Sequence, residues 1–492
     1  ESAINLGVMV QKGRDLENVP FYLSKNSMAK HTFIAGVTGS GKTTTCHRLL
    51  SEADMPFLVI EPAKTEYRTL INKDNDLIVF TLGNEMVSPF RINPFELIRG
   101  EVISAHVDMI KATFTSAFPM EASMPQILEE AIYNTYQKKG WNIDTNENEL
   151  YGDEAFNPEV NSFPILSDLL NEMKTVVESK HFSAQMQADY IGSLVSRLSN
   201  LTVGSKGSML NCEHSIDFRF IAHNNVILEM EELKSPEDKA LFMGFVLSRL
   251  SAVIKEEHRN NPNYKHLTLI EEAHRLLSKV EYGDSGSKKA AVETFTDLLA
   301  EVRKYGEGLI IVDQIPNKLA PEVLKNTNTK IIHKILAKDD KEAVGDTMLM
   351  DDKQKEYLSA LEVGNAIVFS EHTEKPIHVH IKQVSNTNEE QIEKRCVELA
   401  EQIESDYEKL HAVPIVVGLL KGSVPFMAEL IKRFTFDCEI DFMSVSSYDG
   451  TESIGDVRIE KDMDISCKGR HILVVEDIVD TGRTLREVKQ MF

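Results

Sequence analysis

The sequence predicts an α/β fold: a parallel sheet laid down in two stretches around a long helical insertion, followed by a second, smaller α/β unit. Three observations predict it. Short apolar runs (PFLVIEP, DLIVFTLG, NVILEME, HLTLIEE, GLIIVDQ) alternate with helix-like or loop-like segments, the pattern of a parallel sheet with crossover helices. Between them, from about residue 101 to 220, helical periodicity dominates, as in AHVDMIKATFTSAF and ILSDLLNEMKTVVESK. Behind a polar seam, SNTNEEQ, strands and helices alternate again.

In chain order, residues 6–35 read as short strands with turns at Gly13 and Asn26. HTFIAGV is a strand, followed by a glycine-rich turn and a helix from Lys42 to about Glu52. Inside the insertion, WNIDTNENELYGDEAFNPEVNS is polar and acidic and reads as an exposed loop. NAIVFSE and PIHVHIK close the sheet near Lys382. After the seam come an acidic helix, strand PIVVGLL, helix VPFMAELIKRF, strands EIDFMSVSSY, VRIEKDM and HILVVEDI, and a helix starting at Thr484. The expected domains are therefore a core of residues 1–100 and 221–383, an insertion of 101–220, and a C-terminal unit of 384–492.

Composition narrows the class. The chain has 492 residues, 42% of them hydrophobic and 27% charged, the balance of an ordinary globular protein. No apolar run approaches the roughly 20 residues that span a bilayer, so no membrane role is expected. The five cysteines form no CxxC pair, which reads as reduced thiols in a cytoplasmic protein rather than a zinc site. With 54 basic and 77 acidic residues the net charge is −23. That leaves room for a local basic surface, which is what nucleic-acid binding requires. The first residue is Glu1, not Met, and the chain is expected to start inside a longer protein.

Gly36-Val37-Thr38-Gly39-Ser40-Gly41-Lys42-Thr43 fits GxxxxGK[ST] between a predicted strand and a predicted helix, the context that defines a P-loop. Its glycines let backbone N–H groups turn inward around phosphates, and the helix N-terminus adds favourable dipole charge. Gly36, Thr38, Gly39, Ser40, Gly41, Lys42, Thr43 and Thr44 are the expected ATP-binding residues. Lys42 would reach the β- and γ-phosphates and Thr43 would give an oxygen to Mg²⁺. The apolar strand of LTLIEEAHRLL ends in Glu271 and Glu272. The first would hold the Mg²⁺ water shell and the second would polarise the attacking water. GLIIVDQ puts Gln314 near the γ-phosphate, and Arg303 on the preceding helix is a candidate finger for a neighbouring subunit's site. Lys288 and Lys289, on the loop EYGDSGSKKAA, are candidates for phosphate contacts, which read charge and not sequence.

These features together resemble the HerA/FtsK branch of P-loop motors over roughly residues 5–383. The resemblance rests on HTFIAGVTGSGKT, on LVIEPAKTEY with Glu61, Glu66 and Tyr67, and on PFRINPFEL, LIEEAHRLL, Arg303–Gly306, VDQIP, LEVGNAIVF and KPIHVHI. It implies a RecA-like P-loop NTPase core that assembles as a homohexameric ring and pumps duplex DNA, with a nuclease or effector partner in DNA processing or anti-phage defence. Two departures stand out. Glu271 replaces the family's usual Asp, and the small N-terminal β-barrel is expected to be absent or reduced.

In the C-terminal unit, VVEDIVDTGRT places two acids at the end of a strand and small and hydroxyl residues at the start of a helix, a geometry suited to a 5-phosphate. With GLLKGSVPF and VSSYDGTESIG it resembles the first half of a hypoxanthine-guanine phosphoribosyltransferase, a partial type I phosphoribosyltransferase unit. The resemblance implies that Glu476 and Asp477 hold ribose hydroxyls and a Mg²⁺-bound substrate. It makes Asp480 the general base, Thr481, Gly482 and Thr484 the phosphate cradle, Lys421-Gly422 the pyrophosphate turn, and Ser447-Tyr448 part of a closing loop. The family's purine-contacting segments lie further on, so the unit is expected to be a truncated form, a joined fragment or a domain completed by a partner, without phosphoribosyl transfer of its own.

The leading expectation is thus an ATP- and Mg²⁺-dependent DNA motor. The alternatives are an ATP-switched scaffold ring that recruits an effector without moving DNA, and a purine salvage transferase whose front half is regulatory.

Overall fold

The computed structural model describes residues 3–70, 77–86, 88–121, 123–384, 387–420, 423–447, 457–476 and 488–489. The chain divides into two compact units, Glu1–Val384 and Ser385–Phe492.

The strands of the first unit are β1 (Ala3–Gln11), β2 (Arg14–Ser24), β3 (Thr32–Ala35), β4 (Phe57–Glu61), β5 (Leu77–Thr81), β6 (Trp141–Asn142), β7 (Glu147–Asn148), β8 (Asn225–Glu229), β9 (His266–Glu271), β10 (Glu307–Asp313), β11 (Thr329–Ile332), β12 (Asn365–Phe369) and β13 (Ile377–Ile381). All but β6 and β7 join one sheet, in the order β2-β1-β13-β12-β11-β3-β10-β9-β4-β8-β5. From β11 to β5 neighbouring strands run parallel, while β12, β13, β1 and β2 extend the sheet antiparallel. The central parallel strands β3, β4, β9 and β10 are buried on both faces, so they read as continuous apolar runs. Successive residues point to opposite sides: Phe33 packs into one core and Ile34 into the other.

The register sets the site. Ala35 stands opposite Asp313, Val312 opposite Glu271, and Ile60 opposite Ile270. The C-terminal ends of β3, β10, β9 and β4 therefore lie side by side along one edge of the sheet, where ligands of open α/β sheets bind.

Between β5 and β8 the described chain is mostly helical, and its main helices are Ile103–Ala117, Met124–Lys138 and Leu166–Ser179. The segment expected to be an exposed loop is instead ordered by three buried or half-buried rings. Trp141 is buried, its Nε1 donates to the Ser162 carbonyl at 2.7 Å, and its ring stacks on Phe163 and meets Phe156 edge-on. Asn142 and Asn148 close the β6–β7 turn with side chain to backbone hydrogen bonds, a role their short amides suit.

Two placements differ from expectation. Strand β11 (TKII) is short and carries Lys330, so it lacks an apolar signature. The lysine is nonetheless buried, its Nζ donating to the Thr327 carbonyl at 2.6 Å. Lys288 and Lys289 lie not in a loop but in the first turn of the helix Gly286–Val302, whose N-cap Ser285 accepts from the Lys288 N–H.

The second unit carries β14 (Ile415–Leu420), β15 (Glu439–Ser447), β16 (Val457–Lys461) and β17 (Ile472–Val475) in the order β16-β15-β14-β17. Strands β15, β14 and β17 run parallel, and β16 is antiparallel to β15. Val416 packs on one face and Val417 on the other.

Candidate functional site: a P-loop cleft

The loop Gly36–Gly41 joins β3 to the helix Lys42–Glu52. Gly39 and Gly41 have φ of +76° and +110°, values that favour glycine. Gly36 is required by space: a Cβ there would lie 2.6 Å from His333 Cβ and 2.6 Å from Ser40 Oγ. Gly41 caps the helix without a side-chain hydrogen bond, so the first N–H groups face the cleft unshielded. Lys42 Nζ donates to the carbonyls of Gly36 and Val37 at 2.6 and 3.0 Å. Those are weak neutral acceptors, which a phosphate would replace.

A cleft of about 430 Å³ is lined by Thr38, Gly39, Gly41, Lys42, Thr43, Thr44, Glu271, Glu272 and Gln314, together with Ala63, Lys64, Glu66, Val312, Asp313 and Val363. It thus collects most of the residues that the motifs single out. Ser40 is turned away from it: the residue is buried and its Oγ donates to the Val37 carbonyl at 2.7 Å.

The acids of the cleft are held by different partners. Glu271 Oε1 accepts from Tyr67 OH at 2.8 Å, and Glu66 Oε2 accepts from Thr43 Oγ1 at 2.7 Å. Glu272 has φ of +52°, and Arg275 Nε donates to its Oε2 at 2.7 Å. Asp313 accepts from the N–H of His274 and faces its Nδ1 at 2.8 Å. Gln314 Oε1 accepts from Thr38 Oγ1 at 2.9 Å.

Burial raises Glu271 above the usual carboxylate range; the bond from Tyr67 opposes this and the charge of Glu66 adds to it. Burial lowers Lys42, with Glu271 opposing. Burial would raise Glu66, but its bonds from Lys64 and Thr43 outweigh that and hold it below its ordinary value. Glu61, beside them on β4, is wholly buried, and burial pushes it up to about 8.

The oxygen donors at the mouth suit a hard cation such as Mg²⁺. Among the described residues no group of three or more His, Cys, Asp or Glu side chains could hold a metal unaided.

Arg303, Lys288 and Lys289 do not line the cleft. Arg303 is exposed in the turn that precedes β10, whereas the cleft lies at that strand's far end. The separation is one strand length, roughly 20 Å by the usual rise, so Arg303 does not serve the cleft of its own chain. Lys288 pairs with Asp284 at 2.8 Å. In the second unit, Glu476 directly follows β17, and Ser447 ends β15. Lys421, Gly422, Tyr448, Asp477, Asp480, Thr481, Gly482 and Thr484 lie outside the described residues.

Sequence reading assigned no role to Tyr67, His333 or Val363. Tyr67 stands in the segment after β4, where the Glu-Tyr pair was its only signal. His333 and Val363 come from far along the chain and carry no local mark.

The family described as "Helicase HerA, central domain" matches residues 4–250, and the phosphoribosyl transferase domain matches residues 383–492. Among solved structures, VirB4 of Thermoanaerobacter pseudethanolicus aligns with a TM-score of 0.58 at 18% identity, covering 78% of this chain and 97% of its own. The bacterial conjugative coupling protein TrwBdeltaN70 aligns with a TM-score of 0.51 at 13% identity, covering 78% and 91%. Both are likenesses of fold. A hypoxanthine-guanine phosphoribosyltransferase of Streptococcus pyogenes serotype M3 is 51% identical over 106 residues, which is 21% of this chain and 58% of that enzyme. The chain therefore spans little more than half the length of such relatives. Among the described residues no helix is long and apolar enough to cross a membrane.

Proposed function

The chain belongs to the HerA helicase family through its central domain, and from that premise we propose that it is an ATP-hydrolysing motor that assembles as a homohexamer and translocates or unwinds duplex DNA. The observation that carries the proposal is the convergence of Lys42, Thr43, Glu271, Glu272 and Gln314 on one cleft. These residues come from the helix after β3 and from the ends of β9 and β10, and they supply what phosphoryl transfer requires: phosphate binding, metal ligation and a water-directing acid.

Lys42 and the bare helix N-terminus hold the β- and γ-phosphates. Thr43 and Glu271 would hold Mg²⁺, which would supply neutralisation of charge on the phosphate oxygens. Glu272 polarises a water and takes its proton as the new P–O bond forms and the bond to ADP breaks. Gln314 reports the γ-phosphate, and Arg303 acts on a neighbour's cleft, since it is a strand length from its own. The VirB4-like and TrwB-like fold supports this reading, and one TrwB structure holds the non-hydrolysable GTP analogue GDPNP.

Duplex DNA, a nuclease or effector partner and a role in DNA processing or anti-phage defence extend the same proposal, with Lys288 and Lys289 as channel contacts. For the C-terminal domain we propose binding of a phosphoribosyl pyrophosphate through Glu476, Asp477, Thr481, Gly482 and Thr484, on the strength of its 51% identity to the transferases.

ATP turnover by the full chain tests the reading. Lys42→Ala is expected to abolish binding and turnover, and Glu272→Gln to keep ATP bound while blocking hydrolysis. Wild-type turnover in Glu272→Gln contradicts the assignment of the water-directing acid.

A further inference from the structure

Two consecutive residues, Glu66 and Tyr67, reach two different proposed metal ligands. They follow β4, where the Glu66 N–H donates to Glu61 Oε1 at 2.6 Å and ties the turn to the sheet. Glu66 Oε2 then accepts from the hydroxyl of Thr43 at 2.7 Å, and Tyr67 donates its own hydroxyl to Glu271 Oε1 at 2.8 Å. We propose that Glu66 and Tyr67 are positioning residues that form the outer shell of the divalent-cation site and aim Thr43 and Glu271 at the ion. The inference rests on reading the cleft as a Mg·ATP site.

Hydrogen-bond inventory gives the reason. A threonine hydroxyl has one hydrogen and two lone pairs. With the hydrogen committed to Glu66, the lone pairs are left for a cation. A carboxylate has two oxygens, and with Oε1 of Glu271 occupied by Tyr67, Oε2 is left for the cation or its water. Each ligand is thereby fixed in one orientation before the ion arrives, the usual work of outer-shell partners.

The surroundings suit these two residues to that role. Tyr67 is fully buried, packs edge-on against His47 with ring centroids 5.1 Å apart, donates its hydroxyl to Glu271, and has the Cys46 thiol beside that hydroxyl. A buried phenol without a partner would be costly, so tyrosine here is matched to an acid that stays in place. Glu66 also accepts from Lys64 Nζ at 2.8 Å, so both of its oxygens have protein partners.

The test is a Mg²⁺ titration of mant-ATP binding to the full chain, in wild type, Tyr67→Phe, Glu66→Ala and Glu66→Gln, with a matched measurement in EDTA. The two losses, Tyr67→Phe and Glu66→Ala, are expected to raise the Mg²⁺ midpoint by about 10- to 100-fold while metal-free affinity stays unchanged. Glu66→Gln, which keeps an acceptor oxygen toward Thr43, is expected to fall between Glu66→Ala and wild type. An unchanged midpoint in both loss variants overturns the inference, as does an equal loss of affinity in EDTA, which marks mere support of the cleft. Wild-type binding with no Mg²⁺ dependence overturns the Mg·ATP reading itself, and the outer shell falls with it.

Discussion

Thr38 Oγ1 donates to Gln314 Oε1 across 2.9 Å, joining the P-loop to the end of β10 at the rim of the cleft. Both residues line the cleft, so a phosphate arriving there is expected to offer each a new partner. A side chain that changes partner when phosphate arrives or leaves can carry that event to the strand behind it. Gln314→Leu is therefore expected to keep ATP affinity and slow single-turnover hydrolysis by at least about tenfold, as loss of one positioned polar group does. An unaltered single-turnover rate removes Gln314 from the reaction.

The contact between Gly36 and His333 makes a sharper prediction. His333 is fixed by Thr45 Oγ1 at 2.8 Å and by the Asn365 carbonyl at 2.9 Å, so it cannot withdraw from an added methyl. Gly36→Ala must distort the phosphate loop instead. Nucleotide affinity is expected to fall at least about tenfold, more than 1.4 kcal/mol, with a small drop in melting temperature. Isothermal titration calorimetry and thermal melts separate the two effects.

Buried Glu61 and His333 give stability two opposite pH windows. Burial raises Glu61 from 4.5 to about 8, so its contribution is full below about 4.5 and is lost as pH rises through about 8. Burial lowers His333 from 6.5 to about 4, so its contribution is full above about 6.5 and is lost as pH falls through about 4. Glu61→Gln is expected to raise the melting temperature by a few degrees at pH 9 and to change it less at pH 5. A gain that is larger at pH 5 contradicts the account.

Arg303 is exposed beside the start of β10, away from its own cleft. Arg303→Ala alone and Lys42→Ala alone are each expected to lose most turnover. Mixed rings of the two variants are expected to regain part of it, because a sound cleft can then meet a sound arginine from its neighbour. Mixtures that stay inactive contradict action between subunits.

The parts of this fold that can be read from the chain are those where local pattern and burial agree. HTFIAGV and the helix that starts at Lys42 are one apolar run, one glycine turn and one helix start. The ends of β9 and β10 show as acids and an amide that close apolar strands. What escaped reading depends on partners remote in sequence. β11 hides because its lysine is buried against a backbone carbonyl. The β6–β7 hairpin hides because its polar turn is held by rings at Trp141, Phe156 and Phe163. Lys288 looked like a loop residue because Gly283, Ser285 and Gly286 precede it, yet Ser285 is a helix cap. His333 gives no signal of its own, since its bonds to Thr45 and Asn365 exist only once β11, β12 and the P-loop helix are assembled.

The most direct test of the motor reading is the ATP hydrolysis rate of the full chain with and without long duplex DNA, with Glu272→Gln as the blank. The account predicts that DNA raises the rate severalfold and that the blank stays at background. A rate that DNA leaves unchanged contradicts translocation and favours a ring that ATP switches without moving DNA.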